Sequence, residues 1–258
     1  MAHVELTFRT QTMSALHIGT GLGLAGVVDR RTARRLHTPV DGKDMRLVYI
    51  PGSSIKGRLR YHFTQLMHDL NLAVCSPDRH CRFPSSRCPR CVLFGSEALE
   101  GQLVFHDAPL TQEWQDLAYE RENGSWLNLA EFFETEHRTN VSLSRRRGVA
   151  MEQRLFTSEV VARGLEFDAK VTGEVRGVLP ALKVNGVDVP AEIVLLVAAA
   201  RTVTHIGGNK SRGLGRCVIH ACDIKVDGKG LSEDMVLSTL TVDVIRRLQD
   251  AMAHQSSN

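Results

Sequence analysis

Alternating apolar and polar positions predict several half-buried strands. Val4, Leu6 and Phe8 alternate with polar residues, which predicts a strand over residues 3–10, and residues 167–171 repeat the pattern. A side-chain period of two is typical of a strand that buries one face. Shorter strands are predicted at residues 47–50, 102–106 and 216–220.

Apolar residues at helical spacing predict a long helix shortly after Pro51. Its apolar positions are Ile55, Leu59, Phe63, Leu66, Met67 and Leu70. Ser53 or Ser54 is expected to cap it, because a serine oxygen accepts from the free N–H groups of a first turn. Residues 111–136, residues 191–200 and an amphipathic stretch from Ser232 are also predicted to be helical.

Three stretches interrupt these elements. Residues 18–46 are rich in Gly and Arg and lack a period, so we expect a long functional loop. Residues 75–91 are rich in Cys, Pro and Arg, and residues 137–164 are polar and basic, as an extended arm would be. Interleaved strands and helices favour an α+β fold, with a ferredoxin-like βαββαβ core in a single domain over residues 1–258.

Positive charge is concentrated along the chain rather than spread evenly. The formal net charge is only +3, but more than half of the 32 Lys and Arg residues fall in five short clusters. The clusters lie at residues 30–35, 56–60, 79–90, 138–147 and 210–216. Focused basic patches favour a polyanionic partner over solvated surface loops. Aromatic residues make up only 5% of the chain, which argues against a surface built mainly on base stacking.

We expect a cytoplasmic location and no membrane partner. The first residues predict a strand rather than a secretory signal. The longest apolar run, residues 193–200, is far too short to span a bilayer. The six Cys residues are then expected to be thiols or metal ligands rather than disulfides. Cys217 and Cys222 are predicted to be core residues.

Two glycine-containing motifs are candidate phosphate sites. In the first, a strand ends at Pro51-Gly52 and a helix begins, so free backbone N–H groups together with Lys56 favour an anion. An ordinary capped helix is the alternative. The second motif, residues 207–215, contains four glycines that let a backbone approach a ligand closely. It lacks the Gly-Lys-Ser/Thr ending of a Walker loop, and a flexible hairpin is the alternative. The candidate contacts are Ser53, Ser54, Lys56, Arg58, Gly207, Gly208, Lys210, Ser211, Arg212 and Gly213.

A group of cysteines predicts a metal site. Cys88 and Cys91 form a Cys-x-x-Cys knuckle, the usual way to place two thiolates on one Zn²⁺. Cys75 and Cys81 are the expected second pair, although His80 could replace either. Four protein ligands close the coordination sphere, so this zinc would be structural. The alternative is a loop with reduced thiols.

Seven segments of the chain occur in a distinctive order. They are Leu16-His17-Ile18-Gly19, Gly26-Val27-Val28-Asp29, Pro51 to Gly57, Cys88 to Ser96, Asp107-Ala108, Thr139 to Glu159, and the Gly-rich loop near the C-terminus. As a set and in this order, they resemble the RAMP superfamily of CRISPR-associated proteins. The closer resemblance is to the repeating backbone subunit of type III effector complexes. The segment after Asp29 is longer and more basic than is usual in that subunit.

The resemblance implies a specific activity and specific partners. The partners would be guide (CRISPR) RNA, target RNA, other copies of the chain in a stacked filament, and other CRISPR effector subunits. Residues 75–96 would form a zinc-binding insertion. Residues 137–164 would form a thumb-like hairpin that holds RNA through Arg145 and Arg146. Asp29 would promote cleavage of the paired target RNA with Mg²⁺ or Mn²⁺. From the residues alone, an aspartate in a Gly-rich loop is more often a turn residue.

Three other functions remain open at this point. The chain could be a structural guide-RNA-binding subunit that does not cleave. It could be a guide-processing endoribonuclease of the same superfamily, cutting through a His without metal. A zinc-ribbon DNA regulator is a more distant alternative. Such a protein would bind duplex DNA without a guide. The sequence contains neither His-Glu-x-x-His nor Gly-x-Ser-x-Gly.

Overall fold

The computed structural model describes residues 1–19, 31–37, 44–75, 81, 87–123 and 135–255. The strands are β1 (Ala2–Thr12), β2 (Arg34–His37), β3 (Met45–Ile50), β4 (Leu103–Phe105), β5 (Ala108–Pro109), β6 (Thr135–Leu143), β7 (Ala150–Val161), β8 (Glu166–Val175), β9 (Leu182–Val184), β10 (Val187–Val189), β11 (Cys217–Val226) and β12 (Lys229–Leu231). The helices are α1 (Gly52–Asp69), α2 (Pro89–Phe94), α3 (Gln112–Asn123), α4 (Ala191–Arg201), α5 (Glu233–Ser238) and α6 (Val242–Gln255).

An antiparallel sheet of five strands forms the centre of the fold. The strand order is β12–β11–β1–β8–β4, with β1 paired along most of its length to β8 on one side and β11 on the other. The prediction of a mixed α+β fold is therefore confirmed. Smaller antiparallel sheets join β2, β3 and β5, pair β9 with β10, and pair β6 with β7 as a hairpin.

One face of the central sheet is buried beneath helices. Even-numbered residues of β1 from Ala2 to Thr12 are buried, while the intervening residues are partly or fully exposed. Helices α1 and α4 pack against each other on the buried side, and α4 also contacts β11. Ile55, Leu59 and Phe63 of α1 belong to this core, as their helical spacing predicted.

A β-bulge in β11 corrects one prediction about the cysteines. Thr7 pairs with Asp223 but Phe8 pairs with Ala221, so Cys222 is the extra residue of the bulge. Cys217 is buried as predicted, whereas Cys222 is exposed. The alternation of inward and outward side chains changes phase at such a bulge. The prediction of a core role for Cys222 is therefore wrong.

Three predicted element boundaries are also wrong. Within the described residues, helix α3 spans Gln112–Asn123, whereas Thr135 and Glu136, which were predicted to be helical, begin β6 and pair with β7. The C-terminal stretch forms two helices, because Ser232 caps α5 and Thr241 accepts from Val244 at the start of α6. Strand β2 lies in the stretch predicted to be a loop, and pairing with β3 holds it.

Among the described residues, the helices are all too short or too polar to cross a bilayer.

Candidate nucleic-acid cleft and metal cluster

A cleft of about 530 Å³ joins three segments that lie far apart in the sequence. The segment after β1 contributes His17 and Gly19, and the first turns of α1 contribute Ser53 and Arg58. The Gly-rich loop after α4 completes the wall. The lining residues are His17, Ile18, Gly19, Ser53, Ser54, Gly57, Arg58, Tyr61, Gly207 and Gly208. Both candidate phosphate motifs thus contribute to the same surface.

The Gly-rich loop reaches the cleft through direct backbone contact with His17. The Gly208 N–H donates to the His17 carbonyl oxygen at 2.9 Å. Gly207 has φ +77°, and a Cβ there would lie 2.5 Å from the same oxygen. A side chain at position 207 is therefore excluded by both conformation and space. This glycine is needed for the loop to close the cleft.

Helix α1 starts one residue earlier than the sequence predicted. Pro51 is the N-cap residue, and no side chain at this position accepts a capping hydrogen bond. Instead, the Gly52 N–H donates to Asp107 Oδ1 at 2.9 Å. A Cβ on Gly52 would collide with the Phe105 carbonyl oxygen, so only glycine lets the helix start so close to β4. The capping role expected of Ser53 or Ser54 is wrong, because both lie inside the first turn and line the cleft.

The predicted cationic residues differ in their relation to the cleft. Arg58 lines it, with its guanidinium 6.0 Å from the Tyr61 ring centroid. Lys56 lies 5.9 Å from the ring centroid of Phe105, outside the lining residues.

The charged residues of the Gly-rich loop are on an exposed turn. Lys210, Ser211 and Arg212 form a single 3₁₀ turn with no buried residue. Asn209 and Gly213 flank the turn, and both have positive φ. The loop thus places its glycines against His17 and presents its cations to solvent.

The predicted arm at residues 137–164 corresponds to the β6–β7 hairpin. Most of β6 is exposed, and Arg145 and Arg146 are exposed on the connecting turn. The base of the hairpin is fixed to the segment that leads into the cleft. Leu16 and Val161 exchange two backbone hydrogen bonds of 2.9 and 2.7 Å.

A buried ion pair stabilises the base of this hairpin. Arg34 Nη2 donates to Glu159 Oε1 at 2.7 Å, and the two side chains are only 8% and 7% exposed. The Thr32 N–H donates to Glu159 Oε2 at 2.9 Å. Burial raises the pKa of Glu159, but the hydrogen bonds from Arg34 and Thr32 outweigh it, and the net pKa is lowered. Glu159 is therefore a buried carboxylate with a fixed partner.

Asp29, the predicted catalytic residue, lies outside the described residues. The described chain on either side of residues 20–30 is joined by an antiparallel bridge between Gly19 and Thr32. Ala33 also donates to the Ile18 carbonyl oxygen at 2.9 Å. Gly19 lines the cleft and Thr32 contacts Glu159, so both attachment points belong to the region between the cleft and the hairpin base.

The four predicted cysteine ligands lie together. The sulfur atoms of Cys75, Cys81, Cys88 and Cys91 are all within 4.8 Å of one another. The Cys91 hydrogen bond lowers the pKa of the Cys88 thiol to about 4, which favours a thiolate there. Four sulfur donors at this separation fit the tetrahedral coordination of structural Zn²⁺. His80, the alternative ligand, lies outside the described residues.

Arg90 belongs to the cysteine cluster rather than to a basic surface. Its side chain is 4% exposed, and its Nη2 donates to Cys75 Sγ at 2.8 Å. Placing Arg90 in a polyanion-binding cluster was therefore wrong. The sequence contains a signal for this, since Arg90 lies between two of the predicted metal ligands, Cys88 and Cys91. A tetrathiolate zinc centre has a net negative charge, which a buried guanidinium offsets.

The cysteine cluster is connected to the core through α2. Phe94 at the end of α2 stacks on Phe105 with 5.5 Å between centroids and meets the edge of Phe63 at 5.6 Å. Close backbone contacts between Gly95 and Gly101 leave no room for a Cβ on either residue. Helix α2, which contains Cys91, is thus packed directly against α1.

Comparison with protein-family models identifies a family for most of the chain. The family model of the RAMP superfamily matches residues 10–218. This span includes the cleft, the cysteine cluster and the β6–β7 hairpin. No curated protein matches the chain.

Proposed function

The chain belongs to the RAMP superfamily, and we propose that it is the cytoplasmic, guide-RNA-binding backbone subunit of a CRISPR type III effector complex. One observation carries the proposal. Two glycine motifs about 150 residues apart in the sequence, roughly the length of a small domain, converge with His17 on a single cleft. Such convergence is expected if both motifs contact the same ligand.

The cleft has the chemistry of a phosphate-backbone site. The N-terminus of an 18-residue helix opens into it, and its N–H groups carry partial positive charge. Arg58 adds a full charge, and Gly207 and Gly208 let a ribose-phosphate chain approach the protein backbone. Phosphate contacts do not read base sequence. Sequence would be read by pairing between the guide and its target, as in other RNA-guided systems.

The topology supports the finer assignment of a ferredoxin-like core. The order β11–β1–β8–β4 places the first and third strands of a βαββαβ unit at the centre of the sheet. Helix α1 follows β1 and α4 follows β8 along the chain, as that unit requires. In the proposed assembly, copies stack along the guide beside other effector subunits. The exposed β6–β7 hairpin acts as the thumb, with Arg145 and Arg146 on RNA phosphates.

Guide binding is tested with the purified full chain and a labelled single-stranded RNA. We expect log affinity to fall with log salt at about −0.7 per phosphate neutralised, for unrelated sequences alike. Lys210→Ala and Arg212→Ala should each weaken binding and make this slope shallower. Arg246→Ala, on the exposed part of α6, is a matched control. A strong preference of the purified chain for one RNA sequence would contradict the proposal, and so would an affinity that does not change with salt concentration.

We also propose that Asp29 promotes cleavage of the bound target RNA, with Mg²⁺ or Mn²⁺ as the required ion. The support is the RAMP motif that contains Asp29 and the attachment of its flanking residues beside the cleft. Asp29→Ala in the assembled complex should abolish cleavage while guide and target binding persist. Wild-type cleavage by this variant would refute the assignment. A wild-type complex that binds but does not cut would identify the structural, non-cleaving subunit. Metal-independent cutting of guide precursor would identify a processing endoribonuclease.

A further inference from the structure

His17 is held in one orientation at the wall of the cleft. Its side chain is buried, and Nδ1 lies 3.3 Å from the Glu159 carbonyl oxygen. A carbonyl oxygen only accepts hydrogen bonds, so Nδ1 carries the proton in this contact. In the neutral ring, Nε2 then has a lone pair and acts as an acceptor. The hairpin base therefore fixes both the ring and its tautomer.

The acceptor edge of the His17 ring lies beside two glycines of the cleft wall. A Cβ on Gly19 would lie 3.4 Å from Nε2, and a Cβ on Gly208 would lie 3.5 Å from Cδ2. Both glycines line the cleft and have no side chain to cover this edge. An acceptor is of little use to a phosphate oxygen, which has no proton to give. It suits a hydroxyl donor on the same ligand.

We infer that His17 Nε2 accepts a hydrogen bond from a ribose 2′-hydroxyl, and that this contact makes the cleft prefer RNA to DNA. The inference rests on the proposed binding of a single-stranded guide in this cleft. Contacts from Arg58 and the α1 N-terminus act on phosphates, which RNA and DNA share. The 2′-hydroxyl is the group that distinguishes the two polymers at a given site. His17 is thus a specificity-determining residue.

Two substitutions of His17 distinguish the roles of its two ring nitrogens. In His17→Asn, the amide nitrogen of the shorter side chain reaches the position of Nδ1, so this variant keeps a donor for Glu159 and removes the acceptor in the cleft. In His17→Gln, the amide of the longer side chain reaches the position of Nε2 and supplies an acceptor oxygen there. His220→Asn, on the half-exposed outer side of β11, is the matched control.

The test measures the affinity of each full-length variant for single-stranded RNA and DNA of the same sequence. One neutral hydrogen bond corresponds to a preference of about two- to tenfold. We expect His17→Asn to reduce the RNA:DNA affinity ratio by this factor, and His17→Gln and His220→Asn to stay close to the wild-type ratio. Thermal unfolding of each variant shows whether it is folded.

The outcomes distinguish this inference from the proposed function. An unchanged ratio in folded His17→Asn would overturn the role of His17 and leave RNA binding intact. Equal loss of RNA and DNA binding in both His17 variants would show that the residue only supports the fold. A wild-type chain that binds neither polymer would overturn the proposed function and this inference with it.

Discussion

Glu159→Gln is expected to open the base of the β6–β7 hairpin far more readily than in the wild type. The substitution keeps the shape of the side chain but removes the negative charge of Glu159 from the buried guanidinium of Arg34. Both side chains are less than one tenth exposed, so solvent screening is weak. Removing one member of a buried ion pair typically costs about 3–5 kcal/mol. At the lower limit of about 3 kcal/mol, the open form of the hairpin base should be populated about 150-fold more than in the wild type.

Amide hydrogen exchange is the appropriate assay because it measures local opening. The reporting amides are those of Leu16 and Val161, which bond to each other's carbonyl oxygens across the base. Arg34→Met should lower the free energy of opening by a comparable amount. The double variant Arg34→Met with Glu159→Leu should lose much less opening free energy than the two single variants added together, because neither charge of the pair is left buried. The buried ion pair would lose its proposed role if each single variant changed the opening free energy by less than about 1 kcal/mol, or if the two changes simply added in the double variant.

The same ion pair predicts the direction of a pH effect. The pKa of Glu159 is lower in the folded protein than its ordinary value of 4.5. Its stabilisation is therefore fully present above that value and is lost as the pH falls through the lowered pKa. The protection factor of Val161, which is the intrinsic exchange rate divided by the observed rate, should stay constant near neutral pH and fall only in acid. A protection factor that falls as the pH rises from 6 to 8, the range in which histidine titrates, would contradict this assignment.

Two further predictions concern other buried groups. Glu192 is fully buried, its Oε1 accepts from the N–H groups of Val178 and Leu179, and burial raises its pKa. The destabilising effect of Glu192 grows as the pH rises above the ordinary pKa of a glutamate, so Glu192→Gln should flatten this dependence in denaturant titrations. Glu192→Ala should cost about 2–4 kcal/mol, because it removes the acceptor that both N–H groups share. For the cysteine cluster, elemental analysis should find about one Zn²⁺ per chain. A chelator should remove it roughly 10–100-fold more readily from Arg90→Met, while Arg138→Met on the exposed hairpin should behave as wild type.

The periodic parts of the fold could be predicted because burial imposes a period on the sequence. The apolar stripe of α1 and the alternation in β1 both have one buried face, and each was predicted in nearly the correct place. Strand β2 has no such signal, since pairing with β3 holds it and its two exposed residues, Arg35 and Leu36, are adjacent rather than alternating. The break between the two C-terminal helices was missed for a related reason. The apolar pattern continues across the break, and the caps at Ser232 and Thr241 decide where each helix starts.

The candidate site was predictable residue by residue but not as a cleft. The glycine motifs and the four cysteines have local signatures, because backbone approach and metal coordination restrict residue type at fixed spacing. Glu159 and Asp107 belong to segments of the family resemblance, but nothing near them in the sequence indicates their partners. Glu159 meets Arg34 only after the hairpin folds back across more than 100 positions, and Asp107 reaches Gly52 from a separate strand connection. Such partners are determined by tertiary structure, and a single sequence does not show them.

Helix α1 links the cysteine cluster to the cleft. Its first turn lines the cleft, and Phe63 near its middle contacts Phe94 of α2, the helix that also contains Cys91. Phe105 stacks on the same Phe94, while its carbonyl oxygen lies against Gly52 at the start of α1. A change in the packing of α2 after metal loss would thus reach both the middle and the start of the helix. The metal would support RNA binding by fixing the position of α1, without itself contacting RNA.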